Sequence, residues 1–192
     1  HLFDEVRQEV RCFVKRPLDE LIESREPQLL AGIVSDFRTI NGQKGKLALF
    51  KLDDASAMIE ARADEALINA HKNLLKDDEL IIALGKAQPD RFSGGIQLTL
   101  QQLWSLEQAR CHFGKSLCIT IHTQGNAKIP DIAKLLREFP PVSQETESGP
   151  QLVGLPVRML VQCPGASGEL QLDDKNRCFP SDAALAAWRV QA

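Results

Sequence analysis

The stretch Leu29–Ala61, LLAGIVSDFRTINGQKGKLALFKLDDASAMIEA, decides the fold. Leu29–Ile40 is apolar and β-branched, as strands are, and carries Gly32 inside it. A glycine within a strand marks a bulge or a tight barrel bend. Asn41-Gly42-Gln43-Lys44-Gly45 reads as a turn and Lys46–Leu52 as the returning strand, so the two strands make a hairpin. Asp53–Ser56 is the next turn. Ala57–Ala63 is a third strand, with Met58, Glu60 and Arg62 alternating against Ile59, Ala61 and Ala63.

Working outward, Asp64 is an N-cap residue. Leu67, Ile68, His71, Leu74 and Leu75 mark one face of the helix it opens. Glu79–Ala87 and Ile96–Leu106 are two more strands, joined by the loop Pro89–Gly95. In the last strand Ile96, Leu98, Leu100, Gln102 and Trp104 are expected on one side. Three strands, a helix, then two strands is the order of a five-stranded OB-type β-barrel, with the helix capping one end. A long, bent first strand fits that barrel, because it must pair on both sides to close it.

Upstream, Leu2–Ile22 reads as helix, interrupted where Pro17 starts a second short turn. Downstream, Arg110–Gly114 reads as a connector. Strands are then expected at Ser116–Thr123, Pro156–Gln162, Gly168–Leu172 and Arg177–Phe179. Helices are expected at Ile129–Phe139 and after Ser181, with Leu185 and Trp188 on the apolar side of the last. Polar Val142–Gln151 reads as a mobile loop. The fold class is therefore α+β: a helical run-in (1–28), an OB barrel (29–110) and a small β-α-β-β-β-α domain (111–192).

Hydrophobic residues make up 43% of the 192 and charged residues 26%, enough apolar material for packed cores. No apolar run nears the roughly 18 residues of a membrane helix. No basic-then-apolar leader opens the chain. A cytoplasmic protein with no membrane partner is expected. Cys12, Cys111, Cys118, Cys163 and Cys178 are odd in number and scattered, which argues against a disulfide framework and fits a reducing compartment. The net charge of -3 excludes a surface that grips phosphates all over. Any nucleic-acid contact must come from a local patch and be weak.

Leu29–Val34, the loop Asn41–Lys46, Leu52-Asp53-Asp54 and Ile59-Glu60 together resemble the OB segment of the alpha subunit of bacterial DNA polymerase III. Arg7–Leu18 is similar to that family's run-in to the barrel. Gly168-Glu169-Leu170 with Arg177–Ala183 is similar to its final domain. The resemblance implies a C-terminal module whose barrel binds single-stranded DNA and whose last domain docks the tau subunit of the clamp loader. The rest of the alpha subunit, a Mg-dependent DNA polymerase, would carry the catalytic carboxylates. An anticodon-binding OB domain and a protein adaptor with a vestigial barrel are the rival readings.

OB barrels bind single strands with basic loops and aromatic platforms. Arg38, Lys44, Lys46 and Phe50 on the first hairpin, and Lys86, Arg91 and Phe92 around the loop between strands four and five, are the candidates. Phe50 could equally fill the barrel. Leu135, Phe139 and Trp188 are candidate partner contacts in the last domain, or its core. Asp53 and Asp54 read as turn residues rather than an acid–base pair. Cys111, His112, Cys118 and His122 lack the turn-bounded spacing of a zinc site, so no metal is assigned. No phosphate loop, nucleophile elbow or dinucleotide fingerprint is present, so no catalytic residue and no cofactor is expected.

Overall fold

The computed structural model describes residues 2–123, 131–146 and 148–191. The chain divides into two compact units, His1–Leu106 and Glu107–Ala192.

In the first unit, helix α1 (Leu2–Val10) leads through a 3-10 turn (Leu18–Glu20) into strands β1 (Gln28–Gly42), β2 (Gly45–Asp53) and β3 (Met58–Asp64). Helix α2 (Glu65–Ala70) and strands β4 (Leu80–Pro89) and β5 (Ile96–Trp104) complete it. The strands close into a barrel in the order β1-β2-β3-β5-β4. Only β3 and β5 pair parallel. Residues 28–33 of β1 pair with β4, and residues 33–42 pair with β2. Leu30, Val34, Phe50, Leu52, Ile81, Leu98 and Leu100 fill the interior, and Leu67, Ile68 and Leu74 of the α2 region pack against it. Asp64 caps α2 by accepting from Leu67 N–H at 2.9 Å. The five-stranded barrel with its capping helix is thus as the sequence indicates.

Four details differ. The run-in helix stops at Val10, where the Cys12 and Phe13 N–H groups bond only three residues back, to the Glu9 and Val10 carbonyls, and tighten the end. The bulge in β1 is not at Gly32. It lies between Ser35 and Arg38, where Asp36 takes φ 53. Gly32 is needed for space instead: a Cβ there would sit 2.7 Å from Leu52 Cγ, where β1 passes from one neighbour to the other. In β5 the register slips against Leu84 and Gly85, leaving Gln101 without a partner position. The inward residues are therefore Leu98, Leu100 and Leu103, and Gln102 and Trp104 fall out of phase with Leu98 and Leu100. Helix α2 ends at Ala70, so His71, Leu74 and Leu75 follow it in a turn.

Asp54 ties the run-in to the barrel. It is only 4% exposed. Its Oδ2 accepts from Leu18 N–H at 2.9 Å, and its Oδ1 from Ser56 N–H, Ser56 Oγ–H and Ala57 N–H at 2.9, 2.6 and 3.1 Å. Burial works to raise this carboxyl, but the hydrogen bonds from Ser56, Leu18 and Ala57 outweigh it and hold it below the usual range.

The second unit opens with helix α3 (Leu106–Phe113), where the sequence suggested only a connector. Arg110 is the reason it is fixed: 9% exposed, it donates to Pro180 O at 2.9 Å and pairs with Asp182 at 2.7 Å. Then come β6 (Leu117–His122), α4 (Ile132–Glu138), β7 (Val142–Thr146), β8 (Gly149–Val153), β9 (Leu155–Cys163), β10 (Ala166–Gln171), β11 (Arg177–Cys178) and α5 (Asp182–Gln191). The start of the expected helix at 129–130 lies outside the described residues. Strand β9 pairs antiparallel with β10 and β11 and parallel with β6. The expected mobile loop is a hairpin, β7 with β8, in register from Val142↔Val153 to Thr146↔Gly149. Val142 and Leu152 on it are exposed, so no buried face prints an apolar alternation there. Among the described side chains of α5, Ala184 and Trp188 are buried and Leu185 is half-buried.

Candidate nucleic-acid interface

Strand pairing sets one row of residues across the outside of the barrel. Arg38 is opposite Leu49, Leu49 opposite Arg62, Arg62 opposite Thr99, and Thr99 opposite Lys86. The neighbouring positions Ala48, Phe50, Ala61, Ala63, Leu98 and Ala87 point inward, so this row points outward. Arg62 Nε–H donates to Thr99 Oγ1 at 3.0 Å, which fixes the guanidinium on that face. At about 4.8 Å per strand step, the row covers about 19 Å of curved surface. Three of its five side chains are cationic. The parallel row beside it, Ser35–Lys51–Glu60–Gln97–Gln88, is balanced, and Lys51 is engaged by Asp36 at 2.7 Å. That ion pair holds the Asp36 carboxyl low and the Lys51 ammonium high.

The basic row opens into a cleft of about 690 Å³, where Arg62 and Gln97 meet Arg25 of the run-in and Arg91 and Phe92 of the β4–β5 loop. Asp90 shapes that loop. Its carboxylate accepts from Phe92 N–H, Ser93 N–H and Ser93 Oγ–H at 3.1, 3.1 and 2.5 Å. The Ser93 hydroxyl is the main reason this carboxyl stays low, followed by the Phe92 N–H. The turn leaves the Phe92 side chain 101% exposed. An aromatic that packs on nothing presents both faces to a ligand, and bases stack on such faces. Glu23 and Asp90 line the same cleft, so the local positive excess is small.

The residues expected from sequence separate into groups. Arg38, Lys86, Arg91 and Phe92 lie on this face or its rim. Lys44 sits exposed in the hairpin turn. Lys46 is exposed at the hairpin base, where its backbone N–H donates to Glu65 Oε2 at 3.2 Å. Phe50 is corrected: it is 3% exposed and lies inside the barrel, its ring centroid 6.3 Å from that of Phe37. It is core, not a platform. Leu135 and Trp188 are corrected likewise: both are enclosed in the second unit's core, and Phe139 packs half-buried against it. Arg62 and Arg25 were missed: the β3–β5 closure brings Arg62 beside Arg91, and the Ser24 N–H bond to the Ala87 carbonyl at 3.1 Å holds Arg25 of the run-in at the same cleft. Asp53 and Asp54 are turn residues, with Asp53 Oδ1 accepting from Ala55 N–H at 2.8 Å. Among the described residues no group of three or more metal-capable side chains converges, and no helix is long and apolar enough to cross a membrane.

The closed barrel, its plug helix and its outward basic face define an OB-fold unit joined to a second α+β unit. No family model matches the chain. The DNA polymerase III alpha subunit of Pseudomonas fluorescens is 29% identical over 197 residues, covering 100% of this chain and 16% of that protein. That of Pseudomonas aeruginosa is 36% identical over 123 residues, covering 64% of this chain and 10% of that protein. Among solved structures, the second OB-fold domain of replication protein A from Methanococcus maripaludis aligns at a TM-score of 0.37 and 13% identity, over 48% of this chain and 94% of that one. The chain is related to a C-terminal region of the DNA polymerase III alpha subunit, as the sequence resemblance indicates, and spans 16% or less of these two relatives.

Proposed function

We propose that this chain is a non-catalytic module of a replicative DNA polymerase. Its barrel contacts single-stranded DNA, and its second unit docks the tau subunit of the clamp loader. The observation that supports the DNA half is the outward row Arg38–Arg62–Lys86 running into the cleft that carries Arg91 and Phe92. Cations along the row take phosphates, and Phe92 takes a base. The electrostatic part is weak because Glu23 and Asp90 share the cleft. Docking and weak strand contact together would tether the polymerase by raising effective concentration. Nucleotide transfer itself would belong to the rest of such a polymerase.

A second reading, a protein adaptor with a vestigial barrel, is favoured by the net charge of -3. An anticodon-binding barrel is the third. Fluorescence anisotropy of a labelled single-stranded DNA, with unlabelled tRNA as competitor, separates them. The proposal expects micromolar-range or weaker binding that tRNA competes for no better than DNA. Preferential displacement by tRNA would support the anticodon reading. No binding at low salt would leave the adaptor.

A further inference from the structure

The second unit has a groove of about 690 Å³ along α4 and the segment before β11. Ile132, Leu136, Pro140 and Leu172 supply an apolar floor, and Arg137, Lys175 and Arg177 stand along it. Among the described residues no acidic side chain lines it, although acids outnumber bases in the chain as a whole. Arg177 is held in place, donating to Gly154 O at 3.1 Å and pairing with Asp174 at 3.4 Å. Arg137 and Lys175 are exposed and make no side-chain hydrogen bond or ion pair among the described residues. Unengaged cations at the edge of an apolar floor are complementary to a segment that carries both carboxylates and large apolar side chains.

We propose that this groove is the docking site for an acidic, apolar-bearing peptide segment of another protein chain, seated with its apolar side chains on Leu136 and Pro140 and its carboxylates on Arg137 and Lys175. This deepens the docking half of the function proposed above and rests on it. A protein segment fits better than a nucleic acid, because among the described residues the lining offers aliphatic and proline surface but no aromatic face for a base to stack on. The floor accounts for affinity, and the rim cations set the approach and its salt dependence.

The test uses this chain with the tau subunit as probe, by isothermal titration at low and moderate salt. The double variant Arg137→Glu/Lys175→Glu alters two exposed side chains without partners, so its circular dichroism and thermal unfolding stay those of the wild type. Its affinity for tau falls by about tenfold or more, and the salt dependence seen with the wild type is lost. The variant Arg137→Lys/Lys175→Arg keeps both. If the wild type binds tau and the double reversal binds equally well, the groove is not the site and the docking reading survives. If the wild type does not bind tau, both fall. If the reversal weakens single-stranded DNA binding while tau binding is unchanged, the groove is a nucleic-acid surface and the inference is overturned.

Discussion

Replacing Asp54 with alanine tests whether the run-in and the barrel form one cooperative unit. The carboxylate receives four hydrogen bonds, from Leu18, Ser56 (two) and Ala57. Hydrogen bonds to a charged acceptor contribute about 1.5–3 kcal/mol each, but they are not additive. Ser56 is exposed, so water replaces the lost acceptor there at little cost. The Leu18 N–H is enclosed with its side chain, which is only 2% exposed, and is left without a partner at a cost of about 1–3 kcal/mol. Loss of the loop bond to Ala57 adds about 1 kcal/mol, so Asp54→Ala is expected to lose about 3 kcal/mol. With a urea slope of about 1.5 kcal/mol/M, the midpoint drops by about 2 M. Trp104 fluorescence follows the barrel, and Trp188 reports the second unit. Because the folded carboxyl is depressed, its contribution is present above the usual carboxylate range and is lost as pH falls through the folded value. The gap between wild type and variant therefore closes toward low pH. Coincident urea midpoints at neutral pH would refute the account of Asp54 as the latch.

Phe50→Ala should cost about 3–5 kcal/mol of barrel stability. Phe92→Ala should leave stability within about 0.5 kcal/mol and cost about 1–3 kcal/mol of single-strand affinity; thermal unfolding and anisotropy together check the contrast. Arg110→Ala should destabilise the second unit by about 2 kcal/mol, because the Pro180 carbonyl loses a charged donor, seen as a lower midpoint for Trp188 fluorescence alone. In thiol labelling of the native chain at mildly alkaline pH, the exposed Cys12, Cys118 and Cys163 should react. Cys111, pushed up to about 11 chiefly by burial, and buried Cys178 should react only on unfolding; rapid reaction of Cys111 would contradict its placement.

The barrel was legible because each of its strands has one buried face, and burial writes alternation or apolar runs into sequence. Its irregularities were not. The β1 bulge at Asp36 and the slip at Gln101 are set by closure against neighbours remote in sequence. The same holds for the site. Arg91 and Phe92 stand out in the sequence as a loop cation and aromatic, and Arg62 alternates there against Ala61 and Ala63. That it faces Thr99, Lys86 and the β4–β5 loop follows from the parallel β3–β5 pairing, which no local pattern records. Phe50 misled because inward and outward aromatics look alike until register is known. The β7–β8 hairpin was invisible because it rests on backbone pairing between mostly exposed residues.

The outward face of the barrel is proposed to carry the single-strand contacts. The most direct test is the salt dependence of DNA affinity for Arg62→Glu/Arg91→Glu, set against Lys72→Glu/Lys134→Glu, a reversal of the same net charge at two exposed sites off the cleft. Each phosphate contact adds about 0.7 to the log–log slope on a single strand. The account predicts a slope lower by about 1.4 and weaker binding for the cleft variant, with the control close to wild type. Equal losses in both variants would show that only overall charge matters and would contradict a site on this face.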